Sequence, residues 1–170
     1  VMFDFENGIG DWVSTNSHKD KEKSNIDIVD SSNGQVRFGK HALEIGYDFS
    51  AGNQGTTYGS YAGPETNPVI VPGAPKAMGM WVYGTPEVHG AWLRMTVSTK
   101  DKPGGFPLDF VDQSTGIDWV GWKYVEAALP EGTTYPLSIQ PKMALRLMSV
   151  GSGKPGGGPL NKGKIFVDNI

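Results

Sequence analysis

The sequence predicts an all-β chain folded as a two-sheet antiparallel β-sandwich. Three observations carry that expectation. Apolar residues recur with a period of two in segment after segment, while sustained helical periodicity is hard to find. Gly (24) and Pro (12) are abundant for 170 residues, which suits many turns and short strands. Turn-forming clusters fall between the alternating runs, at Ser31-Ser32-Asn33-Gly34, Pro72-Gly73, Pro103-Gly104-Gly105 and Pro130-Glu131-Gly132. Such spacing implies roughly eight to ten strands in two layers.

The elements follow in chain order. "FDFENG" (3–8) alternates Phe3 and Phe5 with Asp4 and Glu6 until Asn7-Gly8 stops it. Trp12 follows and is expected to plug the sandwich. "HKDKEK" (18–23) is a charge cluster and reads as a solvated loop. His41, Leu43, Ile45, Tyr47 and Phe49 share the inward face of one strand, opposite Ala42, Glu44, Gly46 and Asp48. "AMGMWVYG" (77–84) is apolar on both faces, as a central strand would be. Ala91, Leu93, Met95 and Val97 point inward, so Trp92, Arg94, Thr96 and Ser98 point out. The same parity turns Asp109 outward between Leu108 and Phe110. Trp122 opens a strand; Val125, Ala127 and Leu129 alternate after it. Met143, Leu145 and Leu147 set Arg146 outward. "GSGKPGGGPLNKG" (151–163) lacks the spacing of a phosphate loop and reads as a hairpin tip.

Size and charge narrow the function. The length fits one domain, 1–170, able to bury a core without metal or disulfide staples. Net charge is −3 with no basic block, which disfavours nucleic acid or an anionic membrane as partner. No apolar run approaches a membrane span. Cys is absent, so disulfides, thiolate catalysis and Cys-ligated zinc are excluded. The closing "DNI" breaks off mid-pattern, so the chain is expected to be a module excised from a larger multimodular protein.

Five pieces in order carry a resemblance. They are Phe5-Glu6-Asn7-Gly8 with Trp12, the run from Gly39 to Ile45, Trp81 to Gly84, Gly121 to Val125, and Phe166 to Ile170. This series resembles the carbohydrate-binding modules of the galactose-binding-like β-jelly-roll type, across nearly the whole chain. Similar modules accompany secreted glycoside hydrolases and phosphodiester-glycosidase-like proteins of Gram-positive bacteria. The resemblance implies that Trp122 lies in the core, and it implies a structural calcium ion that ties the first strand to the last. It places the Glu6 and Asp168 carboxylates on that ion, with main-chain oxygens from Asp4, Arg37 and Lys40. Calcium takes six to eight hard oxygens, and carboxylates brought together without a cation repel. Solvent-facing acids on edge strands are the plainer reading of the same residues.

A sugar ring stacks its C–H face on an aromatic plane, and its hydroxyls need charged or amide partners. Trp92, Arg94, Arg146 and Asp109 fit that pattern on an outward face. Arg94 and Arg146 equally fit solvated cross-strand ion pairs, which are worth little. Two guanidiniums would suit a glycan bearing carboxylates or the hydroxyls of a neutral one. Trp81 and Tyr83 share a parity and read either as core or as site. Tyr58 and Tyr61, in "TTYGSYAG", suit a rim platform or an ordinary exposed loop. Trp119 could cap the cleft.

Catalysis has no visible basis. No feature sets up the paired carboxyls that glycoside hydrolysis needs. His18, His41 and His89 lack metal spacing, and no G-x-S-x-G elbow occurs. The expected function is therefore non-catalytic polysaccharide binding that targets a linked glycoside-active enzyme to its substrate. The expected protein is monomeric and secreted or at the bacterial cell surface. A structural or protein-interaction module of a cell-surface protein is the rival. A small jelly-roll polysaccharide lyase or hydrolase is a more distant one.

Overall fold

A computed structural model of the chain describes residues 1–149 and 160–170. Twelve strands are formed among these residues: β1 (Trp12–Asn16), β2 (Lys23–Val29), β3 (Ala42–Asp48), β4 (Gly59–Pro64), β5 (Val69–Val71), β6 (Ala77–Gly84), β7 (Trp92–Thr99), β8 (Lys102–Asp109), β9 (Gly121–Ala128), β10 (Leu137–Ile139), β11 (Leu145–Met148) and β12 (Lys162–Asp168). The one helical turn among them is a short 3-10 segment, Pro86–Val88. All strand pairs are antiparallel.

The strands make two sheets. Sheet A has seven, in the order β1-β4-β11-β7-β10-β5, with β8 also paired to β7. Sheet B has five, in the order β2-β3-β12-β6-β9. β7 holds β8 along one edge and shares the other between β11, at Leu93 and Met95, and β10, at Val97 and Ser98. The expected two-sheet antiparallel β-sandwich is the fold.

Period-two alternation explains the layering. Leu43, Ile45, Tyr47 and Phe49 meet Leu93, Met95, Val97, Leu145 and Leu147 in one apolar interior. Each buried Leu or Ile there contributes about 1.5–3 kcal/mol. β6 lies inside sheet B and sends Met78, Met80 and Val82 inward. Trp12 is buried as expected and meets Phe3 and Phe5 edge-on, with centroids 5.0 and 5.4 Å away.

Several placements differ from the sequence reading. Residues 3–8 form no strand, because Phe5 takes a left-handed φ of 57° that breaks the alternation. The segment still pairs with the chain's end: Ile170 N–H donates to the Phe3 carbonyl at 3.0 Å, and Met2 N–H to the Ile170 carbonyl at 2.6 Å. His41 lies just before β3 and is half-exposed rather than packed in the core. Trp122 pairs with Tyr83 on the outer face of sheet B, so it is not a core residue. Met143 precedes β11 and is exposed. Within the 18–23 cluster Glu22 is buried, taking hydrogen bonds from Ser17 Oγ, His18 N–H and Gly59 N–H. Of the glycine-rich segment read as a hairpin tip, 151–159 lie outside the described residues.

Candidate functional site

Strand register assembles the site. Thr15 pairs with Tyr61, Tyr61 with Arg146, Arg146 with Arg94, and Arg94 with Asp109. Four ladders thus draw five side chains from five strands into one row across sheet A. Their inward neighbours Ala62, Leu145, Leu93 and Leu108 are buried in the core, so the row faces outward. Trp92 and Thr96 flank Arg94 on the same face, two residues to either side along β7.

The row carries two cation–π pairs. The Arg94 guanidinium sits 3.9 Å from the Trp92 ring centroid, and that of Arg146 sits 5.4 Å from the Tyr61 ring. Arg94 Nε also donates to Asp109 Oδ1 at 2.6 Å. Trp92 is only 9% exposed and packs with Met148 and Val111. Its ring is therefore less a free platform than a support that holds the Arg94 plane. Three buried polar atoms on this face have no hydrogen-bond partner among the described residues: Trp92 Nε1, Arg146 Nε and Thr96 Oγ1. Leaving such atoms unmade costs about 1–3 kcal/mol each unless a ligand or water meets them. An open hollow of about 630 Å³ adjoins the row at Asp109 and runs along 109–114.

Other candidates lie elsewhere. Tyr58 is 1% exposed, in the core against Phe49, so it is no rim platform. Its hydroxyl accepts the Asn53 N–H. Trp81 and Tyr83 face outward, but from sheet B, on the opposite side of the sandwich from Trp92. There Trp81 joins Tyr124, Phe38 and Arg37, whose guanidinium lies 4.5 Å from the Trp81 ring. Tyr83 packs against Trp122 and Phe166. Trp119 is half-buried before β9, with its indole N–H donated to the Val82 carbonyl. The nine candidates thus divide: Tyr61, Trp92, Arg94, Asp109 and Arg146 come together, while Tyr58, Trp81, Tyr83 and Trp119 do not join them. Thr15 and Thr96 belong to the face and were missed, because an outward Thr carries no distinctive signal without a register.

The acids at the chain ends also meet. One turn serves both: Lys40 and His41 N–H groups donate to Glu6 Oε1 at 2.9 Å, and Arg37 and Phe38 N–H groups to Asp168 Oδ2 at 3.0 and 2.9 Å. Gly39 makes this possible. Its φ is +63°, and a Cβ there would stand 2.4 Å from Glu6 Oε1. Hydrogen bonds from the His41 and Lys40 backbone hold Glu6 below the usual carboxylate range. Burial pushes the Asp168 carboxyl up, aided by the nearby Glu6 charge, against the Phe38, Arg37 and Asn169 N–H groups. Asp168 is 0% exposed, and its Oδ1 is a buried acceptor with no partner among the described residues. Asp4 Oδ1 is occupied by the Glu6 N–H at 3.1 Å. No cluster of three or more acidic, His or Cys side chains forms among the described residues, so a cation here would depend on main-chain oxygens. The orphaned Asp168 Oδ1 is the hard, anionic oxygen that calcium takes, while the Glu6 oxygens already accept N–H groups.

No protein-family model matches the sequence, and no curated protein matches it significantly. The fold is similar to a solved structure of carbohydrate-binding modules from the β-sandwich superfamily, described for their promiscuous specificity. The TM-score is 0.64 at 12% identity, covering 98% of this chain and 58% of that chain. The chain thus spans a little over half the length of that neighbour.

Proposed function

We propose that the protein is a non-catalytic carbohydrate-binding module of the galactose-binding-like type, which grips polysaccharide on the outer face of sheet A. One observation carries this reading. Tyr61, Arg146, Arg94 and Asp109 stand in one row, with buried donors of Trp92, Arg146 and Thr96 left unmet beside it. A polyol supplies hydroxyls in the density that such a surface demands. The likeness in fold to a carbohydrate-binding module supports it.

The row holds a single carboxylate, Asp109, and Arg94 is paired to it. Glycoside hydrolysis needs two carboxyls across the bond, so the row supplies grip rather than cleavage. The benefit is proximity. A linked glycoside-active enzyme, outside a bacterial cell or on its surface, gains effective substrate concentration from a monomeric module of modest affinity.

Calcium belongs to the same proposal. The Asp168 and Glu6 carboxylates would hold it, joined by main-chain oxygens of Asp4, Arg37 and Lys40. When bound, the ion supplies charge neutralisation and a link between the chain's two ends. Its role is stability. The exposed Phe38 and Tyr124, 40% and 48% accessible on sheet B, favour a second reading in which that face contacts protein.

Affinity electrophoresis against soluble glucans, mannans, xylans and pectins tests the leading reading. At least one polymer should retard the protein. Replacing Tyr61 and Arg146 together by Ala should abolish retardation with the melting temperature held within a few degrees. Migration unchanged by every polymer would overturn it.

A further inference from the structure

We infer that the sheet A face takes an acidic polysaccharide, and that the Arg146 guanidinium receives a uronate carboxylate. This rests on the carbohydrate reading of that face and adds the class of glycan.

The charge count on the row points there. Arg94 and Arg146 are direct cross-strand partners, an arrangement in which like charges repel. The row offers one counter-charge, Asp109, and Arg94 Nε holds it at 2.6 Å. Arg146 has no ion pair and no hydrogen bond among the described residues. The residues outside that set (150–159) contain no carboxylate that could supply one. Glu22, which reaches Gly59 beside this row, is taken up by the Gly59, Ser17 and His18 donors and pairs with neither arginine. A positive charge is thus left over, half-buried, with its Nε shielded from water and unmet.

Geometry then selects the group. Arg146 Nε is buried but its two Nη groups are not, and the Nη edge of a guanidinium presents two parallel N–H donors that match the two oxygens of a planar carboxylate. Tyr61, whose ring lies under that guanidinium, holds its plane. A neutral hydroxyl would fill one donor and leave the charge uncompensated. The net charge of −3 means the protein as a whole repels a polyanion, so an acidic glycan that binds must do so through a local positive site.

The test pairs each acid with its uncharged twin. Short galacturonate, mannuronate and glucuronoxylan oligosaccharides and their carboxyl methyl esters are titrated calorimetrically into the full chain, with a sulfated glucan oligosaccharide as a further arm. At least one uronate should bind tenfold or more tighter than its ester, and added salt should weaken it. Arg146→Gln should erase that preference, and Arg146→Lys should restore only part of it. Lys123→Gln, on sheet B, should change nothing. Equal binding of acid and ester, or of neutral glycans alone, overturns the acidic class and leaves the carbohydrate reading standing. Binding of the sulfated arm alone overturns the carboxylate assignment. Failure of every glycan, neutral and acidic, overturns both. The acid–ester comparison uses the unaltered protein, so it holds whatever the variants' stability.

Discussion

Gly39 shows how much one residue can decide. Its left-handed φ lets the turn at 37–41 offer N–H groups to Glu6 on one side and Asp168 on the other. Gly39→Ala meets both a Cβ clash with the Glu6 carboxylate and a backbone penalty of roughly 1–2 kcal/mol. Its melting temperature should fall by several degrees, which a thermal melt reads directly. Trp92 is a different case. Because it packs with Met148 and Val111, truncation to Ala would remove core-like packing as well as the indole donor. Trp92→Phe keeps the ring and deletes the N–H, so it should weaken glycan binding at little cost in stability. Asp48 carries the pH dependence most plainly. The Ser50 hydroxyl, then its N–H at 2.9 Å, holds the Asp48 carboxyl below 3.8. A carboxyl depressed on folding stabilises the fold above its unfolded value, and that stabilisation is lost as pH falls through the folded one. A carbon-detected NMR titration should find Asp48 below 3.8, and Ser50→Ala should move it up; an unmoved midpoint would contradict the assignment.

At the scale of elements, β7 organises the proposed binding face. Its inner residues Leu93, Met95 and Val97 are all fully buried, so its outer residues have no choice of side. Leu93→Ala should cost about 2–5 kcal/mol in chemical denaturation while leaving the ligand's footprint unchanged. This parity was legible in the sequence, because β7 and β11 alternate and Leu108 and Phe110 bracket Asp109. Trp92, Arg94, Asp109 and Arg146 could thus be marked as outward before their strands were ordered, whereas Tyr61 read only as a rim platform or an exposed loop residue and its place on β4 was not legible. The sequence could not order those strands, since register comes from pairings between distant residues. Trp81 and Tyr83 were therefore grouped with Trp92 although they lie on the other sheet. β6 and β9 deceive for a physical reason: aromatic residues on their outer face cover one another. Trp122 mimics a core residue by packing on Tyr83. Tyr58 errs the other way, since its polar neighbours hide a side chain that fills the interior beside Phe49.

Across the whole molecule, the two layers are joined by their interior and the two chain ends by the turn at 37–41. The alternation and turn chemistry made the sandwich readable, and the paired ends were foreshadowed by acids near both termini. The left-handed Phe5 was not, because nothing in "FDFENG" distinguishes a strand from a bent segment held by partners at the far end of the chain. If calcium completes this clasp, chelation should lower the melting temperature of the wild type, and Asp168→Asn should melt lower and ignore the chelator. A wild type indifferent to chelator would remove the metal from the account.

The proposed binding face has a direct probe. The chain's five Trp give five indole N–H signals in a nitrogen–proton correlation spectrum, assignable by single Trp→Phe changes. Titration with a glycan that retards the protein should shift the Trp92 signal, because its ring lies against the Arg94 guanidinium and its Nε1 has no partner among the described residues. Trp12, Trp81, Trp119 and Trp122 should stay in place. Movement of Trp81 or Trp122 with Trp92 still would put the glycan on sheet B and contradict the account.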